Sequence, residues 1–444
     1  MDIIGIMLSF LGQSGLSWHN SCRSLNHPFA QLSVYSIIRL LNHTGHLSYP
    51  MKPSSSLIPS TDKPSFSSPE EIKQWIKAQA QDLGFADCGF ISVQHPLFAQ
   101  QLEQLQLWLA KGYEGQLQFM HGNHHLRAHP EQLVEGAKTI VSVRMDYLTE
   151  TPKSRTVEDD DRPNHGIIAR YARGRDYHKT MRSRLKQLAL RIEAMLPEWQ
   201  QLAIGDDIGA NSDFVFRPFS DSAPIFERPI ADAAGLGWTG KHPLLLNKQA
   251  GSFFVLGELF ISLELPDDQP VAAHCGSCRA CIDICPTQAI VGPHELNAAA
   301  CISYLTIEHD GVIDVKYRRA IGNRVFGCDD CQLICPWNRY AKLTTVEDFA
   351  PRHKLDSSSL LELWQWSEAD FLQYTQGSPL RRTGYVNFLR NIAIGLGNAT
   401  ADDINIEQLK SRLGQHNDIL DEHIRWAIEE QTSKLTANKT SPSS

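Results

Sequence analysis

Apolar positions along the chain repeat with two different periods. Ile72, Trp75, Ile76 and Leu83 fall on one face of a helix, and Ser68-Pro69-Glu70-Glu71 opens it with a cap hydroxyl, Pro at the first helical position and Glu three residues after the cap. Gly84 is placed to close it. From there to about residue 262, strand-like runs at 87–93, 138–146 and 253–256 alternate with helical patterns at 98–109 and 178–195, which predicts an α/β domain. After Trp337 the pattern turns helical, with short helices expected at 360–366, 385–396, 406–413 and 419–430. Gly397-Asn398 and Gly414 break them, in the manner of a small α-solenoid. Before Ser68 no period is sustained, and the Ser/Pro-rich run from Met51 to Pro69 marks residues 1–67 as a disordered leader, with Met51 as an alternative start.

Composition narrows the class. With 42% hydrophobic residues, 21% charged residues and a net charge of −8, the chain of 444 residues is neither a disordered polymer nor a basic coat for nucleic acid. No run reaches the roughly 18 apolar residues of a membrane span, and Asp2 stands where a secretion signal would be positive. A cytoplasmic protein is expected.

Of 10 cysteines, 8 lie between Cys275 and Cys335. Cys275-x2-Cys278-x2-Cys281-x3-Cys285-Pro286 is the spacing with which ferredoxins wrap a cubane, and Cys328-x2-Cys331-x3-Cys335-Pro336 follows, with Cys301 between. The fourth cysteine of such a run crosses to the other cluster. Cys335 is therefore expected to join Cys275, Cys278 and Cys281, and Cys285 to join Cys301, Cys328 and Cys331, making two [4Fe–4S] clusters. Zinc is the competing reading of paired Cys-x2-Cys, although two Cys-Pro endings exceed what a zinc ribbon requires. Cys22 and Cys88 are read as unligated. Clusters relay single electrons, so the rest of the chain must use them.

Three other motifs are less specific. Gly235-Leu-Gly237-Trp-Thr-Gly240-Lys241 matches a dinucleotide fingerprint without its βαβ frame and approaches a phosphate loop that lacks the Ser/Thr, so a Gly-rich turn against a bulky ligand fits better. Asp176-Tyr-His178 resembles the loop that gives mutases their axial histidine, but Met181 replaces its glycine. Asp221, in the Pro-bracketed run Arg217-Pro218 to Pro224, is either a turn residue or a general acid.

The stretch Arg324-Val-Phe-Gly-Cys328-Asp-Asp-Cys331-Gln-Leu-Ile-Cys335-Pro-Trp-Asn338 closely resembles the epoxyqueuosine reductase family. So do Ile168 to His178, Asp221 to Arg228, Ala234 to Lys241 and Cys301 to Glu308, in the family's order, across roughly residues 68–434. The resemblance implies a nitroreductase-like α/β (α+β) cobalamin-binding domain at 68–264, a two-cluster ferredoxin-like module at 265–345 and a HEAT-like helical-repeat domain for tRNA at 346–434, with a disordered tail at 435–444. It implies reduction of epoxyqueuosine to queuosine in tRNA, electrons passing from a low-potential donor through the clusters to a base-off cobalamin with no axial histidine.

By the same resemblance Asp221 is the proton donor, and Arg170, Tyr171, Gly174, Tyr177, Asp221, Gly237, Lys241, Asn247 and Ser303 are candidate cobalamin contacts. An acid in that role must hold its proton at working pH; few hydrogen-bond donors are expected around it, so that desolvation lifts it from roughly 3.9. Residues 346–444 carry 14 acidic and 10 basic side chains, so RNA affinity must come from local groups. Arg318, Arg319, Arg324, Arg381, Arg382 and Arg390 are the candidates, and a monomer is the simplest partner for a docking tRNA. The alternatives are a reductive dehalogenase-like corrinoid enzyme and a plain ferredoxin-type electron carrier.

Overall fold

The computed structural model describes residues 66–150, 162–199, 214–221 and 223–440, so the expected leader lies almost wholly outside the described residues. The first helix, α1 (Pro69–Asp82), starts as its sequence requires, with the Ser68 hydroxyl accepting from the Glu71 N–H at 3.3 Å. Gly84 follows its end at φ +84°, a conformation that costs glycine little.

Four strands make one antiparallel sheet in the order β1 (Asp87–Ser92), β2 (Thr139–Asp146), β4 (Phe254–Ile261), β3 (Phe216–Phe219). The expected α/β alternation is thus realised in its α+β form, with no parallel crossover in this sheet. Strand register decides what lies on each face, because cross-strand partners share one. Gly89, Ser142 and Glu258 form one row. A Cβ on Gly89 would lie 2.0 Å from the Ala234 carbonyl, so this face is pressed against α4 (Glu227–Ala233). The neighbouring row carries Gly257, whose missing Cβ admits Met181 and Leu185 of α3 (Tyr177–Trp199) on the opposite face. Helix α2 (Leu97–Ala110) lies beside α4. Both central strands are buried almost end to end, as sheets covered on both sides are.

The cysteine-rich segment contains the hairpin Ile290–Gly292/Glu295–Leu296, then α5 (Ile302–Ile307), α6 (Val315–Ile321) and β5 (Arg324–Phe326). It is not a separate bead. β5 pairs in parallel with Ile167–Ile168, and the amide of Asn391 donates to the carbonyls of Thr306 and Val325. All described residues fall in one compact unit.

Five helices complete the chain: α7 (Leu360–Trp364), α8 (Glu368–Tyr374), α9 (Tyr385–Asn398), α10 (Asp403–Ser411) and α11 (Asp418–Thr440). The sequence predicts four of these and misses α8, and several helix ends lie two or three residues from the expected ones; two of the differences are informative. Helix α9 runs through Gly397, where a Cβ would meet the Trp426 ring at 2.7 Å and the Ala427 Cα at 3.0 Å, so this glycine admits α11 instead of ending the helix. Helix α11 continues to Thr440, past residue 434, where order was expected to stop. Among the described residues no helix is long and apolar enough to cross a membrane.

Candidate active site and cluster ligands

The eight clustered cysteines are all free thiols. Burial and then the thiolates of Cys335, Cys275 and Cys278 push the Cys281 thiol up to about 12. Cys301 is likewise pushed to about 12 by burial and then Cys285, and Cys331 is raised by burial and then Cys328, Cys301, Cys285 and Cys281. These influences associate Cys335 with the first run and Cys285 and Cys301 with the second, and Cys281 reaches across to Cys331. A thiol so raised is a poor free thiolate, and coordination to iron is what would hold it ionised. The first group is the more exposed, Cys278 openly so, and opens to a pocket of 220 Å³. The Trp238 indole N–H points at the Cys275 sulfur at 3.5 Å. Cys301 caps α5, whose first N–H groups face its sulfur.

Asp221 follows β3 and is held in an unusual backbone state. It is buried with φ +59°, a left-handed conformation that non-glycine residues rarely adopt and that surrounding structure must enforce. Two contacts enforce it. The Asp221 N–H donates to the Glu227 carboxylate at 2.5 Å, and the Tyr177 hydroxyl donates to Asp221 Oδ2. Ser220 Oγ anchors the turn on the Leu256 carbonyl at 3.2 Å.

His178 Nε2 stands 3.5 Å from the same Oδ2, and its Nδ1 lies 2.5 Å from Asp176 Oδ1. Burial alone would lower this imidazole, but its bonds to Asp176 and Asp221 win and carry it up to about 9. Glu258, behind Glu227 in the sheet, is held well above the usual carboxylate range by burial and by Glu227. The expectation of few donors around Asp221 is therefore corrected: a phenol and an imidazole both face its carboxylate, supplied by α3, which sequence proximity did not reveal. Asp221 Oδ1 is buried with no hydrogen-bond partner, whereas the Ser303 hydroxyl is directed at the Cys301 sulfur.

A cleft of 520 Å³ adjoins this turn, lined among others by Leu105, Trp108, Met120, Phe226, Glu227 and Arg228. Glu227 thus both touches the cleft and fixes the Asp221 backbone. Its size and largely apolar lining are those of a cofactor or ligand site.

The other candidate residues divide. Tyr171 packs edge-on to Tyr177, their ring centroids 6.1 Å apart, which ties it to the acid site. Arg170 pairs with Asp329, beside Cys328, at 3.1 Å, and the Lys241 ammonium donates to the carbonyls of Gly276 and Cys278, so both brace the cysteine loops. Asn247 donates to the Leu236 carbonyl.

The glycine reading needs correction. Gly237 has no room for a Cβ because the Leu246 carbonyl would lie at 2.1 Å, and Gly174 because Asp348 and Phe349 backbone atoms lie at 2.5 to 2.7 Å. These close approaches are chain against chain, not chain against ligand. The Gly235 turn leads into the hairpin Trp238–Thr239/Leu245–Leu246, with no helix to receive a phosphate.

Three of the six candidate RNA-contacting arginines are also corrected. Arg390 is buried and donates to the carbonyls of Leu305, His309 and Gly311; Arg318 is buried on the Ile313 carbonyl and Glu422; Arg324 is buried against Asp330. A guanidinium committed inside the fold is unavailable to phosphate. Arg319, Arg381 and Arg382 remain exposed, the first paired with Glu430 and the last 3.7 Å from Glu308.

A family model described as 4Fe-4S double cluster binding domain matches residues 274–338, and one described as Epoxyqueuosine reductase QueG, DUF1730 matches residues 127–207. The chain is 49% identical over 368 residues to the epoxyqueuosine reductase of Salmonella typhimurium, covering 83% of this chain and 89% of that protein. It is 47% identical to the Pseudomonas aeruginosa enzyme, covering 83% and 97%. The solved epoxyqueuosine reductase of Streptococcus thermophilus superposes with a TM-score of 0.69 at 28% identity, covering 84% of this chain and 95% of that one. A structure titled epoxyqueuosine reductase with an epoxyqueuosine-modified tRNA-Tyr stem loop shares the fold, with a TM-score of 0.72 at 24% identity, covering 85% and 96%. With relatives this similar covered over nearly their whole length, the chain belongs to the epoxyqueuosine reductase family.

Proposed function

We propose that this protein reduces epoxyqueuosine in tRNA to queuosine, using two [4Fe–4S] clusters, a cobalamin and a low-potential electron donor. The observation that carries the chemistry is the buried Asp221, forced into a left-handed turn with one carboxylate oxygen unpartnered, in the same compact unit as the eight clustered cysteines. A plain electron carrier has no use for a strained buried acid. Opening an epoxide to an alkene consumes two electrons and two protons and releases the oxygen as water, so an acid beside an electron relay matches the requirement.

The residues present fit a corrinoid. The cleft beside Glu227 is large and mostly apolar, and Glu227 links it to the buried Asp221, whose Oδ1 has no protein partner; Tyr171, Tyr177 and Ser303 do not line it. When bound, cobalamin would supply a strongly reducing metal centre. The chain's own part is to seat Asp221 so that its carboxyl meets the leaving oxygen, to hold that carboxyl through Tyr177 and Glu227, and to exclude water by burial. Arg319, Arg381 and Arg382 are the exposed cations that would meet tRNA phosphates.

The test is nucleoside analysis of tRNA from cells lacking the native enzyme and carrying this protein or its Asp221→Asn variant. Queuosine should appear with the first and epoxyqueuosine persist with the second. The variant should keep its iron and cobalt while turnover falls about 10² to 10⁴-fold. Full turnover by a loaded variant would return Asp221 to a turn residue.

A further inference from the structure

We propose that His178, with Asp176 behind it, is the proton relay that recharges Asp221 during turnover. The inference deepens the proposed reaction and rests on it. The leaving oxygen needs two protons to depart as water, whereas one carboxyl carries one at a time. Asp221 is 2% exposed, and its backbone N–H and its Oδ2 are already engaged by Glu227 and Tyr177, so it has no open path to solvent.

His178 supplies that path. Its Nε2 faces Asp221 Oδ2 at 3.5 Å, a reach that tightens to a hydrogen bond with a small ring movement, while its side chain is 15% exposed and that of Asp176 29%. Asp176 Oδ1 also accepts the His178 backbone N–H at 3.1 Å, so one carboxylate fixes both the start of α3 and the ring. The ring stacks on Tyr177 with centroids 4.2 Å apart. Nδ1 therefore keeps its proton towards Asp176, and Nε2 is the nitrogen free to give and regain one. The charged groups acting on this imidazole are Asp176 and Asp221, and both favour its protonated form.

The step balances without another reagent. The Nε2–H bond breaks and an Asp221 Oδ2–H bond forms, and the neutral imidazole takes its next proton from water at its exposed edge. His178 acts through Asp221 and is a positioning and relay residue.

Two measurements test this on the cluster-loaded protein. In the first, ¹⁵N-histidine NMR follows the His178 ring with pH in the wild type and in Asp221→Asn and Asp176→Asn. Each variant should lower the ring's titration midpoint by one pH unit or more, and an unmoved midpoint would show that the ring is not coupled to Asp221. This readout stands whether or not the chain reduces epoxyqueuosine. In the second, His178→Gln keeps a polar side chain but cannot relay. It should bind tRNA and cofactors as the wild type does, with unchanged KM. Its kcat should fall about 10 to 100-fold and the alkaline limb of its pH profile should disappear. A merely structural role would lower cofactor content and leave the profile's shape alone, and wild-type kcat with the limb intact would overturn the relay. Wild-type protein that turns over no epoxyqueuosine while the ring stays coupled to Asp221 would instead refute the assigned reaction.

Discussion

Replacing Arg390 with Met should destabilise the fold and leave the salt dependence of RNA binding untouched. Helix α5 is a short helix whose Leu305 carbonyl lies in the last turn, where no later N–H can reach it. Arg390 Nη2 caps that carbonyl at 3.0 Å, and Nη1 holds those of His309 and Gly311 at 2.8 and 2.9 Å. Methionine keeps the apolar stem and loses these three bonds, along with the two that Asn391 Oδ1 accepts from Nε and Nη2 at 3.2 and 3.0 Å. Each bond from a buried charged donor contributes roughly 1.5 to 3 kcal/mol, so the three carbonyl bonds alone make the gross loss about 6 kcal/mol. Against this, burial holds the Arg390 guanidinium down to about 10, a penalty of roughly 3 kcal/mol that methionine avoids. The net loss should be at least about 3 kcal/mol, read as a lower urea midpoint at unchanged slope. In parallel, the affinity of an anticodon stem-loop is measured across salt concentrations for the folded variant. A stable variant whose salt slope drops by about 0.7 to 0.9 would refute the structural assignment and put Arg390 on a phosphate.

Arg381, exposed with one bond to the Leu372 carbonyl, should behave in the opposite way: Arg381→Ala should leave the urea midpoint within about 0.5 kcal/mol and lower that slope by about 0.7 to 0.9. Cys301→Ala should remove the cluster it shares with Cys285, Cys328 and Cys331, taking iron from about eight to about four per chain, and full iron would take Cys301 out of the ligand set. The raised His178 makes stability depend on pH. Its folded value of about 9 lies above the roughly 6.5 of an unfolded histidine, so its contribution is complete below about pH 6.5 and is lost as pH climbs towards 9. That contribution is of order 3 kcal/mol. His178→Gln should flatten the wild-type decline in urea midpoint between pH 6 and 9, and an unchanged decline would assign it to another group.

What the sequence made legible is what is local in the chain. Ser68 and Glu71 sit three residues apart, and the cap they form depends on nothing distant. The cysteine runs carry their spacing in the same way, which is why a double-cluster module could be expected before any coordinates. Apolar period found nearly every long helix and strand. Gly397 was misread because its reason lies 29 residues on, at Trp426, and a glycine that admits a neighbouring helix looks in sequence like one that ends its own. The buried arginines were misread for a related cause. Charge in a sequence suggests surface, yet Arg318 and Arg390 serve backbone carbonyls between α5, α6 and the C-terminal helices, a demand visible only once those helix ends have met.

The acid site shows the same limit in its chemistry. Asp221 was legible as a candidate from its own neighbours, and those neighbours, Pro218, Phe219, Ala223 and Pro224, suggested an acid isolated in an apolar turn. The groups that govern it come from 43 and 44 residues earlier, where α3 begins, and from Glu227 at the start of α4. The Asp176-Tyr-His178 sequence, set aside because it lacked the glycine of an axial-ligand loop, is the one that supplies them. A histidine whose Nδ1 is pinned by a carboxylate and whose Nε2 faces another carboxylate is suited to moving protons and, with both nitrogens engaged, poorly suited to binding cobalt. The missing glycine at Met181 is thus no defect: Met181 is buried in α3 against Gly257 of the sheet, which sets the helix that aims Tyr177 and His178 at the acid.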